Sequence, residues 1–376
     1  MSERIDAIDF WRGVALATIF INHIPGNVLG SFTPRNYGFS DSAEAFIFLS
    51  GMSVALAYRR LFETKGISAA FSLMRRAGRL YRAHLALTVA ALTLYGVATH
   101  LTGRDALLSE HGRGTLFADP IRGALGIVTL THQIGYFNIL PIYVVFLFLA
   151  PTLLVLGLRS RWKMLAFSLA LYAATRGLGL NLPSWPDPGI WYFNPMAWQL
   201  MFALGIFAGL AAKEGRIPIH SGAYHLAHLF TIGAAIIVSN CLGLAPGLVD
   251  AAGEYLDWDK TQLGTIRIID FLALAYAIYC SGVTAKLRGS SLYPAVSLLG
   301  RHALPIYCGG SLLSAVGHIL NETWTASPLF DVVFVVACLN ALHKAAALLE
   351  CRREAGCVAA ESSMPNVSGV EVSGRG

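Results

Sequence analysis

Arg12 and His23 stand eleven residues apart in the stretch RIDAIDFWRGVALATIFINH, residues 4–23. In a helix, about 100° per residue carries eleven steps through three turns plus roughly 20°, so both side chains share one face about 16 Å apart. A guanidinium at a membrane boundary and an imidazole well inside it, on one face, suggest a ligand gripped at one end and reacting at the other. The same imidazole also fits an ordinary packed residue making one hydrogen bond, although ionisable groups within a membrane mark function by default. Glu44, fifteen residues before Arg59, reaches a similar depth if the second apolar run lies antiparallel to the first. A carboxylate beside an imidazole fixes its tautomer and stabilises its protonated form, the supporting role in a catalytic dyad. A plain acid at a helix N-terminus, favoured by the dipole and by water, fits Glu44 equally well.

Arg76, Arg79 and Arg82 recur at every third residue in FSLMRRAGRLYRAH. A positive-inside anchor accounts for the charge. The use of Arg throughout, rather than a mixture with Lys, leans toward bidentate recognition of phosphate. Trp191 and Trp198, in and just after the Pro-rich stretch NLPSWPDPGIWYFN, belong to an interfacial belt or to a platform on which sugar rings stack. Arg267 and Asp270 are expected to form an ion pair. His225 and His228 lack a third metal ligand, so no metal site is expected. Arg176, Arg301, His302 and Tyr307 stand as cavity residues without an assigned role.

The elements that must position these groups follow from composition. The 376 residues are 55% hydrophobic and 13% charged, with a mean hydropathy of +0.57, which excludes a soluble enzyme and describes an all-α, polytopic integral membrane protein in the lipid bilayer. Apolar runs near 10–30, 42–58, 84–101, 135–158, 163–180, 194–212, 223–244, 263–285, 293–316 and 329–349 predict about ten transmembrane helices. Basic residues crowd the 59–82 loop and recur at 159–163, 213–216, 286–288 and 344–353, which places those loops and both termini in the cytoplasm. Residues 181–194 and 245–262 then face the opposite side. The bias also explains the net charge of +6 without nucleic acid as a partner. The first dozen residues do not read as a cleavable signal. Six scattered cysteines have neither metal spacing nor disulfide spacing. Residues 1–350 read as one transmembrane domain, and 351–376 as a small, polar, disordered cytoplasmic tail.

The Arg12-to-His23 spacing, Glu44 seven residues before Gly51 in EAFIFLSG, and the Arg76-Ala-Gly-Arg79 pair resemble the signature of the membrane acyltransferase-3 superfamily. Within it, IDFWRGVALATIFINHIPGN followed by FTPRNYGFSDSAEAFIFLSG resembles the OpgC family, most specifically over residues 4–82. Ala83 departs from the pattern, standing where many relatives carry Pro. The resemblance implies a multi-pass enzyme of the bacterial inner membrane that takes an acyl group from cytoplasmic acyl-CoA. In OpgC proteins the group is succinyl, from succinyl-CoA, and the acceptor is a hydroxyl of an osmoregulated periplasmic glucan. By the same resemblance His23 is the catalytic histidine, and Arg12, Arg76 and Arg79 are arginines on the coenzyme side. A competing class is a proton-coupled transporter of a small organic solute, with His23, Glu44, Arg267 and Asp270 as a relay.

Overall fold

A computed structural model describes residues 6–213, 215, 217–239, 255–324 and 327–362. Twelve helices of nine residues or more dominate the described residues: α1 Asp6–Asn22, α2 Ser42–Lys65, α3 Ala70–Thr102, α4 Pro120–Val128, α5 Ile139–Arg159, α6 Arg161–Gly177, α7 Pro195–Lys213, α8 Ser221–Ser239, α9 Thr265–Ser281, α10 Leu292–Arg301, α11 Ala303–Thr323 and α12 Pro328–Ser362. They contain no strand, only an isolated bridge between Pro183 and Ile190. Six helical stretches are long and apolar enough to cross a membrane: Ser42–Thr102, Ile139–Arg159, Pro195–Ala212, Ser221–Ser239, Ala303–Thr323 and Pro328–Ala355. Helices α1, α6 and α9 have 17 residues each, about 25 Å, a little less than the roughly 30 Å of a hydrocarbon core. Leu226, Leu229 and Ile232 of α8 and Val333 and Val336 of α12 point outward and are exposed. Lipid demands such a surface, and water would penalise it.

Every apolar run carries a helix, but two runs are not single continuous helices over their full length. The first run stops at Asn22 rather than continuing to residue 30. Pro25 has no N–H to continue the ladder, and Gly26 turns the chain at a φ of 75°. His23 therefore closes the last turn of α1, its N–H still bonded to Ile19 O at 3.0 Å, instead of lying mid-helix. The 293–316 run is two helices, α10 and α11, broken at His302 with φ −104° and ψ 41°. Pro305 falls in the first turn of α11, where backbone donors are unpaired in any case. At the far end, α12 runs on to Ser362. The first part of the expected tail is thus helical, and residues 363–376 lie outside the described residues, as do 240–244 of the expected seventh span and 245–254 of the expected outer loop.

Close helix approach rests on paired glycines. A Cβ on Gly13 of α1 would overlap the carbonyl of Val296, and one on Gly300 of α10 would overlap that of Asp9. Gly51 of α2 and Gly205 of α7 do the same against Phe202 O and Phe48 O. Without water to drive apolar surfaces together, small residues that let backbones touch are the main source of helix association in lipid. The core lies along α5 and α7, where Ile142, Leu147, Leu153, Leu154, Phe202 and Ile206 are wholly buried.

Candidate functional site

Three helices carry functional groups at both ends and share one direction. α1 runs from Arg12 to His23, α3 from Arg76 and Arg79 to Tyr95, and α11 from Tyr307 to His318. Arg12, Arg76, Arg79 and Tyr307, with Arg301, His302 and Tyr143, line one cavity of about 340 Å³, whose apolar wall includes Phe46, Leu80 and Leu140. Their partners at the other end, His23, Tyr95 and His318, gather beneath the segment that follows α3.

Within the cavity the cations are held in different ways. Arg12 lies against the α1–α10 crossing, where its guanidinium donates to Gly300 O at 3.2 Å and to the Ser53 hydroxyl, with Asp9 at 3.5 Å. Arg76 donates to the Tyr143 hydroxyl at 2.9 Å and lies over that ring. Arg79 is exposed to the cavity and makes no hydrogen bond or ion pair among the described residues. Glu350 of α12 holds Arg301 at 2.8 Å and His302 at 2.7 Å. The break between α10 and α11 thus turns two more basic groups toward the three arginines expected from the sequence. A cluster of guanidinium forks in a part-enclosed cavity suits polyphosphate oxygens, which accept paired charge-assisted bonds.

His23 is not a satisfied core histidine. Its Nδ1 is buried without a hydrogen-bond partner, and neither ring nitrogen bonds to a described residue. Tyr136 packs on the imidazole with ring centroids 5.0 Å apart. The loop beyond is fastened by Asn321, which donates to Pro25 O at 2.8 Å, and by Asp331, which accepts from Val28 N at 2.9 Å. His318 accepts or donates at Nδ1 with the Tyr95 hydroxyl, 3.2 Å away. The spacing of Tyr307, Ser311, Ser314 and His318 puts four polar groups on one buried stripe of α11, a 4-3-4 pattern that the sequence itself displays.

Glu44 takes the second of its two expected places, an acid at a helix N-terminus, rather than that of a partner to His23. Its Oε2 accepts from Asp41 N at 2.8 Å in a capping box at the start of α2, and its Oε1 accepts from Arg267 Nε at 2.7 Å. Both oxygens are engaged, so Glu44 does not supply the imidazole with the carboxylate partner of a dyad. Arg267 correspondingly does not pair with Asp270; it bridges Glu44 and Asp41, while Asp270 accepts from the Ser40 N–H at 2.9 Å and hydroxyl at 2.6 Å. Lys260 completes the group with Asp41. No hydrogen bond among the described residues links this set to His23.

Trp191 and Trp198 are packing residues here. Trp198 is fully buried, stacks edge-on to Phe193 at 4.9 Å and donates from its indole to Lys260 O at 2.9 Å. Trp191 is 4% exposed. A ring without an open face cannot stack on a sugar, so the platform expected at these positions is not formed. The aromatic side chain that does face the imidazole, Tyr136, lies at the start of the 135–158 run, three residues before α5 begins at Ile139.

The chain matches the family described as OpgC protein over residues 4–354, nearly its whole length. It belongs to the OpgC family. No match was found among curated proteins or among solved structures. Membership in the OpgC family brings a membrane acyltransferase-like role in the modification of osmoregulated periplasmic glucans. The resemblance that the sequence showed most clearly over residues 4–82 extends through the arginine cavity, α11 and most of α12.

Proposed function

We propose that this OpgC protein transfers an acyl group, succinyl in the simplest case, from acyl-CoA bound at the arginine cavity to a sugar hydroxyl at His23. The observation that carries the reading is the three-helix frame: a cavity lined by four arginines at one end and an imidazole with an unpartnered nitrogen at the other. Phosphates of the coenzyme at Arg12, Arg76 and Arg79 leave its pantetheine arm to run along α1 and α11 toward His23, an interval of about 16 Å. His23 takes the proton of an acceptor hydroxyl as that oxygen attacks the thioester carbonyl. The carbon–sulfur bond then breaks, an ester forms, and the coenzyme leaves as a thiol after taking up a proton. Passage of the acyl group first to His23 and then to the hydroxyl gives the same products. In this reading the cavity faces the cytoplasm across the bacterial inner membrane and the His23 end faces the periplasm, an orientation that the bias of the basic loops supports.

The test is transfer by purified protein in detergent. With succinyl-CoA and a β-glucose oligosaccharide, mass spectrometry should show succinylated sugar and stoichiometric free thiol. Free thiol and ester both absent, from a monodisperse preparation, would contradict the reading.

A further inference from the structure

With Trp191 and Trp198 buried, the sugar needs another surface, and one lies against His23. The segment between α3 and α5 brings Tyr136 onto the imidazole at 5.0 Å, with the His111 ring 4.8 Å from Tyr136 on one side and His318 6.4 Å away on the other. His111 is 38% exposed and Tyr136 is half-buried, so an open ring leads to a partly covered one and then to the imidazole. The Tyr136 hydroxyl makes no hydrogen bond among the described residues.

The backbone holds these rings at a cost. Four non-glycine residues among those described have positive φ, and two of them are His111 at 57° and Tyr136 at 70°. Such conformations persist only where the surroundings enforce them, and they gather at ligand sites. Here Gly135 N bonds to His111 O at 2.9 Å, His132 Nε2 lies 2.9 Å from Gly112 O, and Arg113, buried over the Tyr95 ring, donates to Leu107 O at 2.6 Å. Burial first, and then the Arg113 charge, hold the His111 imidazole below its ordinary value, so at neutral pH it can both donate and accept.

We propose that Tyr136, flanked by His111, is the acceptor's sugar-binding subsite, where the C–H face of a hexose packs on the phenol ring and a hydroxyl is delivered to His23. The subsite rests on the transferase reading for its purpose, and on ring geometry for its place. Nothing in the three arginines or in His23 itself assigns it.

Binding of a short β-linked glucose oligosaccharide to the full-length protein in detergent tests it, with succinyl-CoA binding measured in parallel on the same samples. Tyr136→Asn tolerates a positive φ and removes the ring; it should weaken oligosaccharide binding by about tenfold, the value of one stacked ring. Tyr136→Phe should stay close to wild type, and His111→Asn should fall between the two. Unchanged succinyl-CoA binding in all three confirms that the variants are folded. Equal oligosaccharide binding by wild type and Tyr136→Asn, or none by the wild type, would overturn the subsite. Loss of succinyl-CoA binding by the wild type, with the oligosaccharide pattern intact, would sink the donor reading and leave the subsite standing.

Discussion

Arg79 and Arg12 differ in how they are held, and that difference predicts how they respond to mutation. Arg79 faces the cavity without a partner among the described residues, so its charge-assisted bonds are available to a ligand. Arg79→Ala should weaken succinyl-CoA binding by about 1.5–3 kcal/mol, roughly 10- to 150-fold, without loss of membrane insertion. Arg12 divides its fork between Gly300 O and Ser53, with Asp9 nearby. Arg12→Lys keeps the charge but cannot span these acceptors, so it should weaken binding and also lower thermal stability. Isothermal titration and thermal unfolding of both variants check this; wild-type affinity in both would make the arginines anchors. What was legible at this scale lay within single helices. The spacing of Arg12 to His23 and of Arg76 to Arg79 needs only 100° per residue, and the sequence supplies it. Of the two readings left open for Glu44, the acid at a helix N-terminus is the one found in the capping box of α2; its partner Arg267 is 223 residues away, and a local pattern cannot say which distant charge an acid will find.

At the scale of elements, the α1–α10 crossing connects backbone packing to chemistry. Gly13 and Gly300 let the helices touch, and Arg12 bonds to the carbonyl of Gly300 at that contact. Gly300→Val would push α10 from α1, misplace Arg12 and cost about 1–3 kcal/mol or more through overpacking. The expected outcome is a lower unfolding temperature together with weaker succinyl-CoA binding. Gly289→Val, where a Cβ meets nothing closer than 3.6 Å, is the control and should change neither. Equal behaviour of the two variants would detach the crossing from the site. Helix breaks were partly readable: Pro25-Gly26 announces the end of α1 once its chemistry is weighed against the apolar run. The break at His302 was partly readable as well, because Pro305 interrupts the 293–316 run, and the helix gives way three residues before it. The burial of Trp198 was not. An aromatic beside a Pro-rich loop has the same sequence signature in a lipid belt, a sugar platform or a core, and only the fold of residues 255–264 over it decides.

For the whole molecule, the account requires its two ends to face different compartments. Single cysteines placed at Arg60 and at Ile190, in a background with its native cysteines replaced, should differ in intact spheroplasts. The Ile190 position should react with a membrane-impermeant maleimide, and the Arg60 position should react only after the membrane is opened. Reaction at both without opening would put the arginine cavity outside, where no acyl-CoA pool exists. The all-helical, membrane-embedded architecture was legible from hydropathy alone, because lipid leaves so few solutions for the backbone. The gathering of His23, Tyr136 and His318 was not, because it joins α1, α11 and an irregular segment that takes positive φ at His111, Leu130 and Tyr136 as well as at Gly112.

The central claim is that His23 performs the transfer, and mass spectrometry of periplasmic glucans from a deletion strain carrying His23→Gln tests it most directly. Glutamine keeps a hydrogen bond but takes no proton at neutral pH, and loss of a general base typically costs about 10²–10⁴-fold. The strain expressing the wild-type protein should yield acylated glucan, and the strain expressing His23→Gln at equal membrane abundance should yield none above the deletion background. Acylated glucan from His23→Gln at a level near the wild type would contradict the assignment of the chemistry to this helix.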